Sequence, residues 1–202
     1  MKGKTHVGVG VVTFLSICNS LPGNFNFIGI IVVIFASLLP DIDHPKSIIN
    51  KYILPFKNKN AKVVTYLCLG VIVLWYDYVY LKQPAFRALG VSLLIISLSS
   101  HRNGLTHSLS GMILFSFIAA YIGNMYHVHY MVYYFIIGYG MHLLCDMATS
   151  KGIPAFYPFR NKKVRLPITY KSNSKIGSTI EELIMIFGLL FTIYRLPLIF
   201  CK

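Results

Sequence analysis

The sequence predicts an all-α fold, a polytopic transmembrane helix bundle of about six to seven spans in one membrane-embedded domain covering 1–202. Three observations predict it. The 202 residues are 55% apolar, with a mean hydropathy of +0.63. Only 12% are charged, against about 25% in an ordinary soluble domain. The apolar residues also gather into runs long enough, or nearly so, to cross a bilayer.

Taken in order, the first run covers about 6–22, behind Lys2 and Lys4. Pro22-Gly23 follows it without a small-residue cleavage pattern, so it is expected to remain as a span. Further runs lie at about 26–40, 62–81, 86–100, 108–126, 130–147 and 180–200. Those at 26–40 and 86–100 are short, as partners inside a bundle can be. Turn residues separate neighbours at Pro22-Gly23-Asn24, Lys82-Gln83-Pro84 and Gly123-Asn124. Two longer connections, at about 41–61 and 148–179, are rich in Lys, Asn, Pro and Gly.

Seven spans put the N-terminus, 41–61, 101–107 and 148–179 on one side. That side holds two Lys/Arg at the N-terminus, four in 41–61, one in 101–107 and seven in 148–179. With Lys62 the total is fifteen, against four (Lys82, Arg87, Arg195 and Lys202) elsewhere. Cytoplasmic connections carry such an excess, so the basic side is expected to be cytoplasmic. The formal charge of +13 then has a topological origin, with anionic membrane lipids as its partner. No nucleic acid is expected.

Residues with ligand chemistry gather at span ends on that same side. His6 opens the first span, Asp41, Asp43 and His44 close the second, and His101 and His107 flank the turn into the fifth. His142 and Asp146 close the sixth, and Glu181 with Glu182 opens the seventh. Ionisable groups near hydrocarbon are costly and tend to be functional. His142 and Asp146, four apart, share a helix face. Imidazole and carboxylate together suit a divalent metal: Zn first, with Mn or Fe as alternatives, as one or two ions. Each element also fits a plainer role. Asp41 or Thr106 can cap a helix, and His101 can be an interfacial histidine. His127 and His129, flanked by Tyr126 and Tyr130, lie at the far interface with Asp77, away from the acids. The cysteines Cys18, Cys68, Cys145 and Cys201 lack paired spacing and are expected to be small core residues.

The strings Thr5-His6, Leu39-Pro-Asp-Ile-Asp-His-Pro-Lys-Ser47, Gly104-Leu-Thr-His-Ser108 and Gly138-Tyr-Gly-Met-His-Leu-Leu-Cys-Asp146 carry a family resemblance. So do Gly152-Ile-Pro154, Arg165-Leu-Pro-Ile168 and Gly177-Ser-Thr-Ile-Glu181. At these residues the chain resembles the YdjM family of inner-membrane proteins, described as metal-dependent hydrolases. The resemblance implies a metal set of His6, Asp41, Asp43, His44, His107, His142 and Asp146, with Glu181 at its edge. It also implies location in a bacterial-type inner membrane. Where the family string reads HRGxTHS, Asn103 here separates Arg102 from Gly104, so either His101 keeps a role or Arg102 takes it. The pair of spans at about 62–100 also looks longer than in compact members.

The expected function is a membrane-embedded metal-dependent hydrolase cleaving a phosphoester of a lipid or lipid-linked substrate at the cytoplasmic face. The ligand pattern is similar to that of zinc-dependent phospholipase C and related nucleases. Asp43 or Glu181 is the expected general base, and Arg102 with the basic segment 160–165 the expected phosphate holder. The alternatives are a metal or ion transporter and a non-catalytic scaffold stapled by metal.

Overall fold

The computed structural model describes residues 1–99 and 104–200. Among them the fold is all-α, with helices α1 (Gly3–Ile17), α2 (Phe27–Leu38), α3 (Asn50–Ile53) and α4 (Lys59–Tyr76). They are followed by α5 (Pro84–Leu98), α6 (Leu109–Met125), α7 (Met131–Met147) and α8 (Lys175–Phe200). Each of the seven apolar runs becomes one helix, and the short α3 sits in the connection 41–61. No strand occurs among the described residues. The bridge pairs Thr149 with Tyr170 and Ile153 with Val164 help tie the loop after α7 onto itself.

Local chemistry sets the helix starts. The side chains of Asn26, Asn58 and Ser108 accept from the amides of Gly29, Ala61 and Gly111 at 2.6, 2.7 and 3.0 Å. Each satisfies an amide that the first helical turn leaves without a partner. Pro84 opens α5, where its missing N–H costs nothing. At the far end of the hairpin, buried Asp77 accepts from the Gln83 amide at 2.5 Å and from Arg87 Nε at 2.9 Å. It therefore holds the α4–α5 turn together.

Helices α2 and α7 form the centre, α1 packs on both, and α8 lies outside α1. Helix α6 flanks α7, and the α4–α5 hairpin joins through α5. One apolar cluster holds Phe14, Leu15, Val33 and Tyr134. The other holds Ala36, Leu39, Ile42, Phe115, Phe135 and Tyr139. Between α2 and α7 the contact is backbone-close: a Cβ on Gly138 would stand 2.5 Å from the Val33 carbonyl oxygen.

Outwardly the bundle is apolar. Phe27, Ile31 and Phe35 of α2, Ile72 and Trp75 of α4, and Ile186 and Phe187 of α8 are all exposed. An apolar surface of this extent on a lone chain marks a partner or a membrane. The segments Lys59–Leu81, which includes a π-helical turn, and Lys175–Phe200 are long and apolar enough to cross a bilayer. The other apolar helices, at 12 to 17 residues, fall short of the roughly 20 that a straight span needs.

Replacing Gly138 with Val should push α7 off α2 and destabilise the protein by about 1–3 kcal/mol, as overpacking does. The measurement is the thermal unfolding midpoint in detergent. An unchanged midpoint would mean that the two helices do not meet there.

Candidate metal centre

Up-and-down connections bring the starts of α1, α6 and α8 to the same end as the ends of α2 and α7. After α2 the chain tightens into a 3-10 turn, Leu39–Asp43. With about three residues per turn, that turn presents three distinct faces. Leu39 and Ile42 enter the apolar core. Asp41 and, one turn on, His44 face a polar cavity. Asp43 is directed at a second 3-10 turn, Leu105–His107.

Four side chains converge where these turns meet α7. Asp41, His107, His142 and Asp146 each offer one donor atom, and all four atoms lie within 4.8 Å of one another. His107 Nε2 is 3.5 Å from Asp41 Oδ1 and 3.5 Å from Asp146 Oδ2. His142 Nε2 is 3.9 and 3.8 Å from the same two oxygens. Donors held about 2.1 Å from a tetrahedral ion stand about 3.4 Å apart, so this spacing is close to that of a zinc site.

His142 carries the most specific signature. Its Nδ1 lies 2.7 Å from the Ser37 carbonyl oxygen. A carbonyl only accepts, so Nδ1 holds the proton and Nε2 keeps its lone pair. That nitrogen is buried without a hydrogen-bond partner, which is the arrangement of a metal-binding histidine. A Ser37 Oγ to Gly138 carbonyl hydrogen bond of 3.3 Å supports the same contact between α2 and α7.

His107 has a carboxylate behind it. Asp43 Oδ2 lies 3.8 Å from His107 Nδ1 and accepts from Thr106 Oγ1 at 2.6 Å. Tyr139 OH, on α7, donates to the Thr106 carbonyl at 2.5 Å and pins the turn. Burial disfavours the His107 imidazolium, but Asp41 and Asp43 outweigh burial and raise its pKa to about 9. For Asp41, burial favours the neutral acid. The His107 hydrogen bond and the surrounding imidazoles outweigh it and hold this carboxyl below the usual carboxylate range.

The remaining expected residues take other places. His6 is fully buried and stacks on His142, with ring centroids 3.8 Å apart and planes 15° from parallel. Its Nε2 is 3.5 Å from Asp146 Oδ1, an oxygen that accepts from the N-terminal ammonium at 3.0 Å. His6 therefore adjoins the four donors without being one of them. Asp43 stands behind His107 and not among the four, because the 3-10 turn separates its direction from that of Asp41. His44 lines the polar cavity, where its Nδ1 accepts from the Lys46 amide at 3.2 Å.

Glu181 is also buried outside the group. It accepts from Thr5 Oγ1 at 3.1 Å, from the Lys2 amide at 3.0 Å and from Ser172 Oγ. It ties the chain start and the 148–174 loop to α8. His101 and Arg102 lie outside the described residues. Arg160, Lys162, Lys163 and Arg165 are exposed.

Several residues around the site carry little signal in sequence. Lys62, one of the fifteen charges assigned to the basic side, is buried and donates to the carbonyls of Ile96 and Ser99 at 3.0 and 2.7 Å. A lone lysine inside an apolar run was its only mark. Asn50 is fully buried and donates to the Ile42 and His44 carbonyls at 2.6 and 2.8 Å, bracing the Asp41 turn. Thr106 does not cap α6, because Ser108 does. Cys18 is buried as expected, but Cys68 is exposed and Cys145 intermediate; all three are free. His127 and His129 lie at the opposite end of α7, where His129 meets Asn124 at 2.8 Å.

The family model described as YdjM inner membrane protein matches residues 1–199. No curated protein and no solved structure gives a match. A match over nearly the whole chain, with the turn-borne and helix-borne donors inside it, leads to one conclusion: the chain belongs to the YdjM inner membrane protein family.

Proposed function

We propose that the protein is a multi-pass inner-membrane protein of six to seven spans that binds a divalent metal through Asp41, His107, His142 and Asp146 near the cytoplasmic face. There it hydrolyses a phosphoester of a lipid or lipid-linked substrate. The observation that carries this reading is the convergence of four donor atoms within 4.8 Å, one of them the buried, bare Nε2 of His142.

Two imidazoles and two carboxylates form a donor set suited to zinc, with manganese or iron as alternatives. A divalent ion bound there supplies a Lewis acid that polarises a phosphoryl oxygen and acidifies water. The protein's own part is orientation. Ser37 holds the His142 tautomer, and Asp43, itself held by Thr106, supports His107 as an outer carboxylate supports a metal-bound histidine. This role on His107 replaces that of general base for Asp43, and the three donors on Glu181 make it a clamp for the chain start.

Access is the second support. Asp41 is the least buried of the four, at 18% side-chain exposure. It borders a polar cavity of about 240 Å³ that His44, Lys46 and Lys151 also line. Of these, Lys46 and Lys151 place positive charge where an anionic phosphate group would approach. One observation favours a metal staple instead: four protein donors can close a tetrahedral site. Turnover separates the two readings. Transport is less favoured, because transporter ligands cluster near the bilayer midplane and these lie at helix ends.

Purified full-length protein in detergent should carry about one zinc, manganese or iron per chain by elemental analysis. It should release phosphate or headgroup from polar lipids, and chelation should stop that release. His142→Ala and Asp146→Asn should each lose both metal and turnover, whereas Asp43→Asn should weaken metal binding by about 10–100-fold. Metal retained in both of the first two variants would sink the ligand assignment. Full turnover after chelation would sink the mechanism.

The raised His107 pKa sets a pH dependence with a definite sign. Without metal His107 is protonated below about pH 9, and an ion must displace that proton. Metal affinity should therefore rise about tenfold per pH unit between roughly 6.5 and 9. The metal-free fold shows the opposite trend. A raised folded pKa contributes stability that is complete below the unfolded value of about 6.5 and is lost as pH rises through about 9. Competition titration with a chelator at several pH values measures the first trend, and a flat profile would remove His107 from the ligands.

A further inference from the structure

A second cavity lies on the other side of the Leu39–Asp43 turn. It encloses about 420 Å³ between α2, α4, α5, α6 and α7, within the roughly 300–1,000 Å³ of small-molecule sites. The three-residue period of the turn places Asp41 at the polar cavity and Leu39 with Ile42 at the apolar one. Ile49 borders both. A polar chamber beside the candidate ligands and an apolar chamber thus share a wall.

The apolar chamber has no use for a polar guest. Ser92 and Tyr66 bring the hydroxyls to its lining, and each is already committed. Ser92 Oγ donates to the Ala88 carbonyl at 2.6 Å, and Tyr66 OH donates to Asn50 Oδ1 at 2.5 Å. Water there would lack the two to four polar partners that hold buried water, while an empty chamber forfeits dispersion contacts along its whole lining. Ile31, Phe35 and Leu89 line the chamber and are also exposed on the outer apolar surface, so it communicates with the region that lipid occupies around an inner membrane protein.

We infer that this chamber receives one hydrocarbon chain of an anionic phospholipid whose headgroup sits in the polar cavity between Asp41, Lys46 and Lys151. The chemistry on each side of Ile49 matches one half of such a molecule: cationic side chains for the phosphate, satisfied apolar walls for the chain. The fate of the bound lipid rests on the hydrolase reading; its binding does not.

The probe is a phosphatidic acid with a photoactivatable diazirine near the end of one acyl chain, incorporated into nanodiscs with the full chain. Irradiation should label chamber residues such as Phe115, Met131 and Phe135, as read by peptide mass spectrometry. Ala119→Phe and Ser92→Leu each fill the chamber and should lower that labelling by roughly tenfold, the equivalent of one buried aliphatic group. If Ala119→Phe fails to fold, the smaller Ser92→Leu change reads the same quantity. Lys151→Glu, on the exposed rim, should weaken labelling by phosphatidic acid more than labelling by a diazirine-bearing phosphatidylcholine, whose headgroup carries no net charge. Labelling confined to the outward faces of α4 and α8, or unchanged in the filled variants, overturns the inference. Chamber labelling without any turnover leaves it standing and sinks the hydrolase reading alone.

Discussion

Where α7 crosses α2, one backbone lies directly against the other because residue 138 has no side chain to hold them apart. From that approach follows the hydrogen bond between His142 Nδ1 and the Ser37 carbonyl, and from the bond follows the direction of Nε2. Asp146, one turn further along α7, faces the same way. The turn after α2 delivers Asp41 to the same point, and the turn before α6 delivers His107. The helix pair is the frame, and the two 3-10 turns are hung from it.

Such a cluster is expensive to bury. Imidazoles and carboxylates taken out of water lose solvation that only paired charge or a bound cation restores. The arrangement supplies compensation around the site but leaves His142 Nε2 bare. Asp43 and Asp41 stabilise positive charge on His107, Thr106 satisfies Asp43, and the N-terminal ammonium meets Asp146. Farther out, Asn50 and Lys62 donate to carbonyls at the ends of the Asp41 turn and of α5. This investment in an otherwise apolar bundle is easier to account for as a cation site than as a means of stability, since apolar residues would pack the same space at lower cost.

Much of the architecture was legible in the sequence because bilayer-scale apolar runs and turn residues are local signals. Seven runs became seven helices. The ends were less legible. Helix α1 begins at Gly3, α2 is only 12 residues long, and the loop after α7 folds back through Ile153 and Tyr170. Hydropathy averages over such details, whereas side-chain caps and loop pairing decide them. The same averaging gave no sign that Lys62 is buried and put Cys68 in the core, because neither run length nor charge count shows which way a helical side chain points.

For the candidate site, sequence alone determined the residue types and their gathering at one end of the bundle, since both follow from position relative to span ends. The i to i+4 spacing of His142 and Asp146 likewise placed them on one helix face. Only the tertiary structure separated Asp41 from Asp43, and it also assigned Glu181 to the chain start and His6 to the flank of His142. Those distinctions depend on directions differing by a third of a turn, or on partners more than a hundred residues away, and a linear pattern holds neither.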